Sequence, residues 1–181
     1  MVAPRSCPLG TRLPSVEPVD AHLITSEELA DLADGLGAYG PMAFLGAVLG
    51  LRWGEVAGLR VGRLDLLRNE LKVAEQIVRG KGGVSFPGAP KSRAGRRTMA
   101  MPAWLTEMLA AHLHRRGLTA ADRDAWVFAW PSGRHLSYSA WRKHWVRAVK
   151  AAGLPERFGF HDLRRANATG LVTSGIDVRT A

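Results

Sequence analysis

Apolar residues recur at helical spacing in several windows of this chain, and start and stop signals bracket most of them. Thr25 stands three residues before Glu28, ahead of an apolar-periodic stretch, a capping pattern that predicts a helix over 26–36. Gly37 and Gly40-Pro41 end it. Met42 to Gly50 reads as a second, largely buried helix, and Glu55 to Arg60 as a short third one. Pro102 opens a helix over 103–116, whose Trp104, Leu105, Met108, Leu109 and Leu113 fall near one face. Ser137 caps a helix running to about Ala152, and Gly153-Leu154-Pro155 stops it. A last helix starts near His161-Asp162 and runs to Thr173. Trp104, Trp141 and Trp145 sit at helical positions and are expected in the core.

Between the third and fourth helices the period changes. Leu71 to Val78 partly alternates and runs into Arg79-Gly80-Lys81-Gly82-Gly83, a turn signal. Val84 to Phe86 can return as its partner, and Arg97 to Met101 supplies a third strand. The expected fold class is therefore α+β and mostly helical, with a small three-stranded antiparallel sheet inserted between helices. Four prolines mark residues 1–19 as a lead-in, and residues 20–181 read as one domain.

With 181 residues, 46% of them hydrophobic and 23% charged, the chain has the makings of a real core, and the disordered and fibrous classes are excluded. The longest apolar run, Pro41 to Leu51, is far short of the roughly 20 residues of a bilayer span, and no secretory signal pattern is present. The single cysteine, Cys7, excludes an internal disulfide framework and a CxxC metal site. A cytoplasmic protein without a membrane partner is expected.

Charge narrows this further. The net charge is +9, and the excess is concentrated: residues 35–181 carry 23 bases against 10 acids. Six bases and no acid lie between Arg79 and Arg97, and eight bases face only Glu156 and Asp162 from Arg134 to Arg165. Such asymmetry suits a polyanion, because phosphate contacts release counterions. Three short stretches present cations in suggestive settings. Arg52 follows an apolar helix and has Glu55 three residues on, which suits either an ion pair closing a core helix or a rigid fork for phosphate. Lys91 lies in Pro90-Lys91-Ser92-Arg93-Ala94-Gly95-Arg96-Arg97, a solvated basic loop or the tip of a hairpin that enters a groove. His161 and Arg164 share one face of a helix start, where anions are favoured.

Taken in this order, the stretches resemble the tyrosine recombinase or phage integrase family. Leu51-Arg52-Trp53-Gly54-Glu55 is similar to that family's LRxxE motif, Lys91 to its hairpin lysine, and His161-Asp162-Leu163-Arg164 to HxLR. The resemblance covers residues from about 20 to 181. It implies site-specific DNA recombination and integration through a 3′-phosphotyrosine, with no cofactor and no metal. It assigns Arg52 and Arg164 to the non-bridging phosphate oxygens, Lys91 to the departing 5′-oxygen, and His161 to proton transfer, with Glu55 orienting Arg52. Arg79, Lys81, Arg93, Arg96, Arg97 and Arg165 become candidate DNA contacts. The implied partners are double-stranded DNA of attachment-site type and further copies of the chain, a tetramer on DNA in the family, in a nucleoid-associated setting.

The departures from the family pattern are as informative. A nucleophilic tyrosine is expected roughly thirty residues past the HxLR arginine, yet the only tyrosines are Tyr39 and Tyr138, both upstream of it. Arg165 stands where many relatives have histidine. The expectation is a catalytic domain cut at both ends and inactive alone, or else a non-catalytic DNA-binding remnant. Two other classes fare worse: an RNA binder would cluster aromatics on a sheet, and a metal hydrolase would need acids near His112 and His114, which are expected to face solvent.

Overall fold

The computed structural model describes residues 22–89 and 95–173. Helix α1 spans Ser26–Leu36, and its start is built as the sequence dictates: the Glu28 amide donates to Thr25 Oγ1 (3.1 Å) and the Thr25 amide to the Glu28 carboxylate (2.8 Å). A 3₁₀ turn over Gly37–Tyr39 leads into α2, Gly40–Leu49, which Gly50 closes in the left-handed conformation (φ 60°). Helix α3 is Trp53–Ala57, two residues earlier than the predicted third helix and shorter. Helices α4 (Ala103–Arg115), α5 (Tyr138–Ala151) and α6 (Phe160–Thr173) follow the expected spans closely.

The strands are β1 Leu64–Asp65, β2 Glu70–Val73, β3 Gln76–Arg79, β4 Ser85–Gly88 and β5 Arg97–Ala100. The fold class is α+β with a three-stranded antiparallel sheet, in the order β1-β2-β5. Leu71 pairs with Leu64 on one side and Met99 on the other. The stretch read as a single strand over 71–78 divides at Ala74-Glu75. Its first half joins this sheet, while its second half pairs with β4 as a separate hairpin, Val78 opposite Phe86. Buried Leu71, Val73 and Ile77 keep one alternation through the division, so the hydrophobic pattern alone does not reveal the change of partner. At the break Glu75 pairs with Arg60 (3.1 Å), whose guanidinium also lies 3.6 Å from the Trp126 ring centroid.

Helix α1 packs against α2 and α5, and α2 against α6. A row of aromatic contacts runs from Trp53 through Trp141 (5.6 Å) and Trp145 (5.2 Å) to Phe158 (6.3 Å), and Phe160 meets Trp141 at 5.7 Å. Trp141 and Trp145 are buried as expected. Trp104 is not: it is 45% exposed, with its ring edge-on to Phe44. The buried face of α4 is Leu105, Leu109, His112 and Leu113. His112 therefore occupies a core position, contrary to the solvent-facing expectation, because its Nε2–H donates to the Val127 carbonyl (2.8 Å) and so meets a partner inside. His114 is exposed.

Residues Ser26–Leu49 together are long and apolar enough to cross a membrane, by length and composition. The 3₁₀ turn interrupts them, and the two helices they form pack on each other with half of the stretch buried. They are core helices of this fold.

Candidate functional site

The site forms where α2 ends. A helix leaves its last carbonyls without intrahelical donors, and here α6 supplies them. Arg164 Nη1 donates to the Gly50 carbonyl, and one turn on, Asn167 Nδ2 donates to the Val48 carbonyl (2.7 Å). Glycine suits this bend on two counts: its φ is positive, and a Cβ there would lie 2.8 Å from Asn167 Oδ1, which would have to shift. Two residues beyond Gly50 the chain reaches Arg52, held in extended conformation as the cap of α3. The two arginines predicted from separate motifs are thus brought to the same bend, 112 positions apart in the chain.

Glu55 organises the other side. It is 3% exposed, and each of its oxygens accepts from two arginines. Oε1 takes Arg52 Nη1 (3.2 Å) and Arg97 Nη1 (3.1 Å), while Oε2 takes the Arg52 amide (2.9 Å) and Arg97 Nη2 (3.1 Å). The Arg97 pair is a fork on a fork, the geometry that a guanidinium and a carboxylate favour. Burial pushes the Glu55 carboxyl up, but the Arg97 hydrogen bonds, the Arg52 amide and the charges of both guanidinium groups outweigh it and hold the group below the usual range. Arg164 is lowered by burial first and then by the neighbouring Arg52 charge, with Arg97 adding to this and Glu55 opposing it. The site is a cluster of three arginines, two of them bound to one buried carboxylate and the third to the Gly50 carbonyl. Among these, Arg52 leaves 58% of its side chain open to solvent and Arg97 leaves 27%.

The remaining predicted positions are spread around this cluster. His161 lies one turn before Arg164 and is exposed. Asp162 accepts from the Gly159 amide (2.8 Å) at the start of α6 and from Arg165 Nη1 (3.5 Å). Arg79 ends β3 with its guanidinium 4.3 Å from the Tyr138 ring centroid, Lys81 is exposed in the hairpin turn, and Arg96 is exposed just before β5. Arg97, expected as a DNA contact, makes two hydrogen bonds to Glu55. Lys91 and Arg93 lie outside the described residues, as do the lead-in and residues 174–181. The two tyrosines are both engaged in packing: Tyr39 donates to the Ala129 carbonyl (3.4 Å) beside Trp130 and His144, and Tyr138 lies against Trp53.

Sequence reasoning missed Arg97 as the partner of Glu55 and Asn167 as the companion of Arg164. The first pair spans 42 residues and has no local signal, whereas Asn167 carried one, being three residues beyond Arg164 on the same helical face.

The family model of the phage integrases matches residues 42–181, which includes every element of this cluster. The chain belongs to the phage integrase family. It is 31% identical over 156 residues to the prophage phiRv2 integrase of Mycobacterium tuberculosis, a match covering 83% of this chain and 40% of that protein. With the integrase of Mycobacterium phage L5 it shares 29% identity over 160 residues, covering 86% and 42%. The chain thus spans about two-fifths of the length of these relatives. Among solved structures it resembles the Tn1549 transposon integrase in complex with transposon right end DNA (TM-score 0.74, 20% identity, 92% of this chain and 57% of that one). XerA recombinase is similar as well (TM-score 0.68, 20% identity, 93% and 55%). At that identity the likeness establishes the shared fold, the catalytic-domain fold of tyrosine recombinases.

Proposed function

We propose that these residues form the phosphate-gripping part of a site-specific DNA recombinase, acting in the cytoplasm on double-stranded DNA of attachment-site type. Arg52 and Arg164 take the non-bridging oxygens of one phosphodiester and stabilise the extra negative charge of its pentavalent transition state. Glu55 and Arg97 fix the geometry of Arg52 and do not touch DNA. Lys91 donates a proton to the departing 5′-oxygen, and His161 assists proton transfer around the attacking oxygen. Arg79, Lys81, Arg93, Arg96 and Arg165 neutralise neighbouring phosphates. The observation that carries this reading is the meeting of Arg52 and Arg164 at Gly50, with a buried carboxylate holding Arg52 from behind. Arg52 and Arg97 share that one carboxylate, while Arg164 is held at the Gly50 carbonyl beside them.

The attacking group is a tyrosine, which gives a 3′-phosphotyrosine and a free 5′-hydroxyl. Tyr39 and Tyr138 are packed for other purposes, so the tyrosine comes from outside these 181 residues, in a longer chain or a second protein. The test is to extend the chain by a C-terminal segment that carries a tyrosine and incubate it with a library of nicked duplexes of random sequence. A protein–DNA adduct that survives denaturation is expected. Duplex binding without any adduct would assign the chain the alternative role of a non-catalytic DNA-binding remnant, and absence of both would refute the reading.

A further inference from the structure

The β3–β4 hairpin has two four-residue strands and a sheet of its own. A pair of strands that short does not hold its orientation unaided, so its placement beside the arginine cluster depends on where it is fastened. Three attachments are visible. The backbone of β3 lies directly on α3: a Cβ on Gly54 would be 2.6 Å from the Ile77 carbonyl oxygen, and one on Gly58 would be 2.7 Å from Gln76 Cα. The buried Ser85 Oγ accepts from the Tyr138 amide (3.2 Å), a first-turn donor of α5 that has no partner within its own helix. The third attachment is the Tyr138 ring, which has Arg79 above it and Trp53 edge-on at 4.9 Å.

Trp53 directly follows Arg52, so the Tyr138 ring joins the hairpin to the residue beside the first arginine. The indole N–H groups of Trp53 and Trp141 find no hydrogen-bond acceptor among the described residues, which leaves ring contact as what holds this cluster together. Arg79 pairs with no carboxylate among the described residues. A guanidinium stacked on a ring keeps its N–H edge free for a phosphate while its rotamer is held.

We infer that Tyr138 is a positioning residue: it fastens the β3–β4 hairpin to the Arg52 helix and presents Arg79 to a DNA phosphate. The DNA half of this rests on the proposed function, while the fastening half stands without it. Tyr138 is too far upstream to match the nucleophile, and the ring cluster gives it this other task.

The test uses the whole chain and its Tyr138→Phe, Tyr138→Ala, Arg79→Ala and Ser85→Ala variants, together with the Arg79→Ala/Tyr138→Ala double variant. Two measurements are made: amide hydrogen exchange across 76–88, and binding to a mixed-sequence duplex. In Tyr138→Ala the Val78 and Phe86 amides are expected to exchange about tenfold faster while α1 and α2 stay protected. Ser85→Ala, which leaves the ring cluster intact, is expected to loosen the same amides. Duplex affinity should fall about three- to tenfold in Tyr138→Ala, Tyr138→Phe should match the parent, and the double variant should bind within about twofold of Arg79→Ala. Unchanged hairpin exchange in both Tyr138→Ala and Ser85→Ala would overturn the fastening. Losses that multiply in the double variant, or a Phe variant as impaired as the Ala one, would overturn the presentation of Arg79. A parent chain that binds no duplex at all would count against the proposed function, and the exchange measurement would then decide the fastening alone.

Discussion

Replacing Glu55 by glutamine keeps the shape of the side chain and removes its charge. The carboxylate accepts four hydrogen bonds, one from each of two arginines on each oxygen. Glutamine retains one carbonyl oxygen and turns an NH₂ toward two of these donors, so two of the four contacts are lost and each becomes a donor facing a donor. Hydrogen bonds to charged partners contribute about 1.5–3 kcal/mol each. The Arg52 side chain is more than half exposed, and its share is worth at most about 1 kcal/mol. The expected net loss is about 2–3 kcal/mol, which for a domain of this size lowers Tm by about 5–10 °C. The pH dependence gives a second signature. Because the folded-state pKa of Glu55 lies below its ordinary 4.5, its stabilisation is fully present at neutral pH and disappears as pH falls below about 4.5 through the folded value. Thermal melts of the parent and Glu55→Gln should therefore differ at pH 7 and converge in acid. Equal melting at pH 7, or a gap that persists unchanged in acid, would refute the claim that a charged Glu55 holds the arginines.

Other outcomes follow from the same geometry. Gly50→Ala combines a positive φ with a Cβ 2.8 Å from Asn167 Oδ1, and should cost about 1–3 kcal/mol in denaturant unfolding, with Asn167→Ala in the same background recovering part of the loss. His112 is lowered by burial first, with the Val127 bond opposing and the Arg116 and Arg115 charges adding, so protonation disfavours the fold. Stability should decline as pH drops below its ordinary 6.5, and His112→Gln should flatten that part of the profile. Duplex affinity should fall steeply with salt, and removing Arg79, Lys81 or Arg96 should each lower the slope of log K against log salt by about 0.9; slopes equal to the parent's would remove those residues from the DNA contact.

The helices were legible because their signals are local. Thr25 and Glu28 mark the start of α1, Gly50 the end of α2, and Gly153 lies just past α5. What escaped depended on contacts between distant parts of the chain. The hydrophobic alternation through 71–77 does not reveal that the hydrogen-bond partner changes at Glu75, and β1 has only two residues, too few to show a period. On α4 a polar His112 fills an apolar slot because Val127 offers it a carbonyl, and Trp104 stands on the rim. The motifs named Arg52, Glu55 and Arg164 but gave no sign that Arg97, 42 residues from Glu55, would complete the cluster. An isolated basic residue reads equally as a DNA contact or as a brace, and only its partner decides.

If Arg52 and Arg164 act together on one phosphate, the rate of covalent adduct formation on a nicked duplex reports it, comparing the tyrosine-extended chain with its Arg52→Ala and Arg164→Ala variants. Each substitution should slow adduct formation by about 10²–10³, with the fold intact by circular dichroism. Adduct formation at the parental rate in either variant would contradict it.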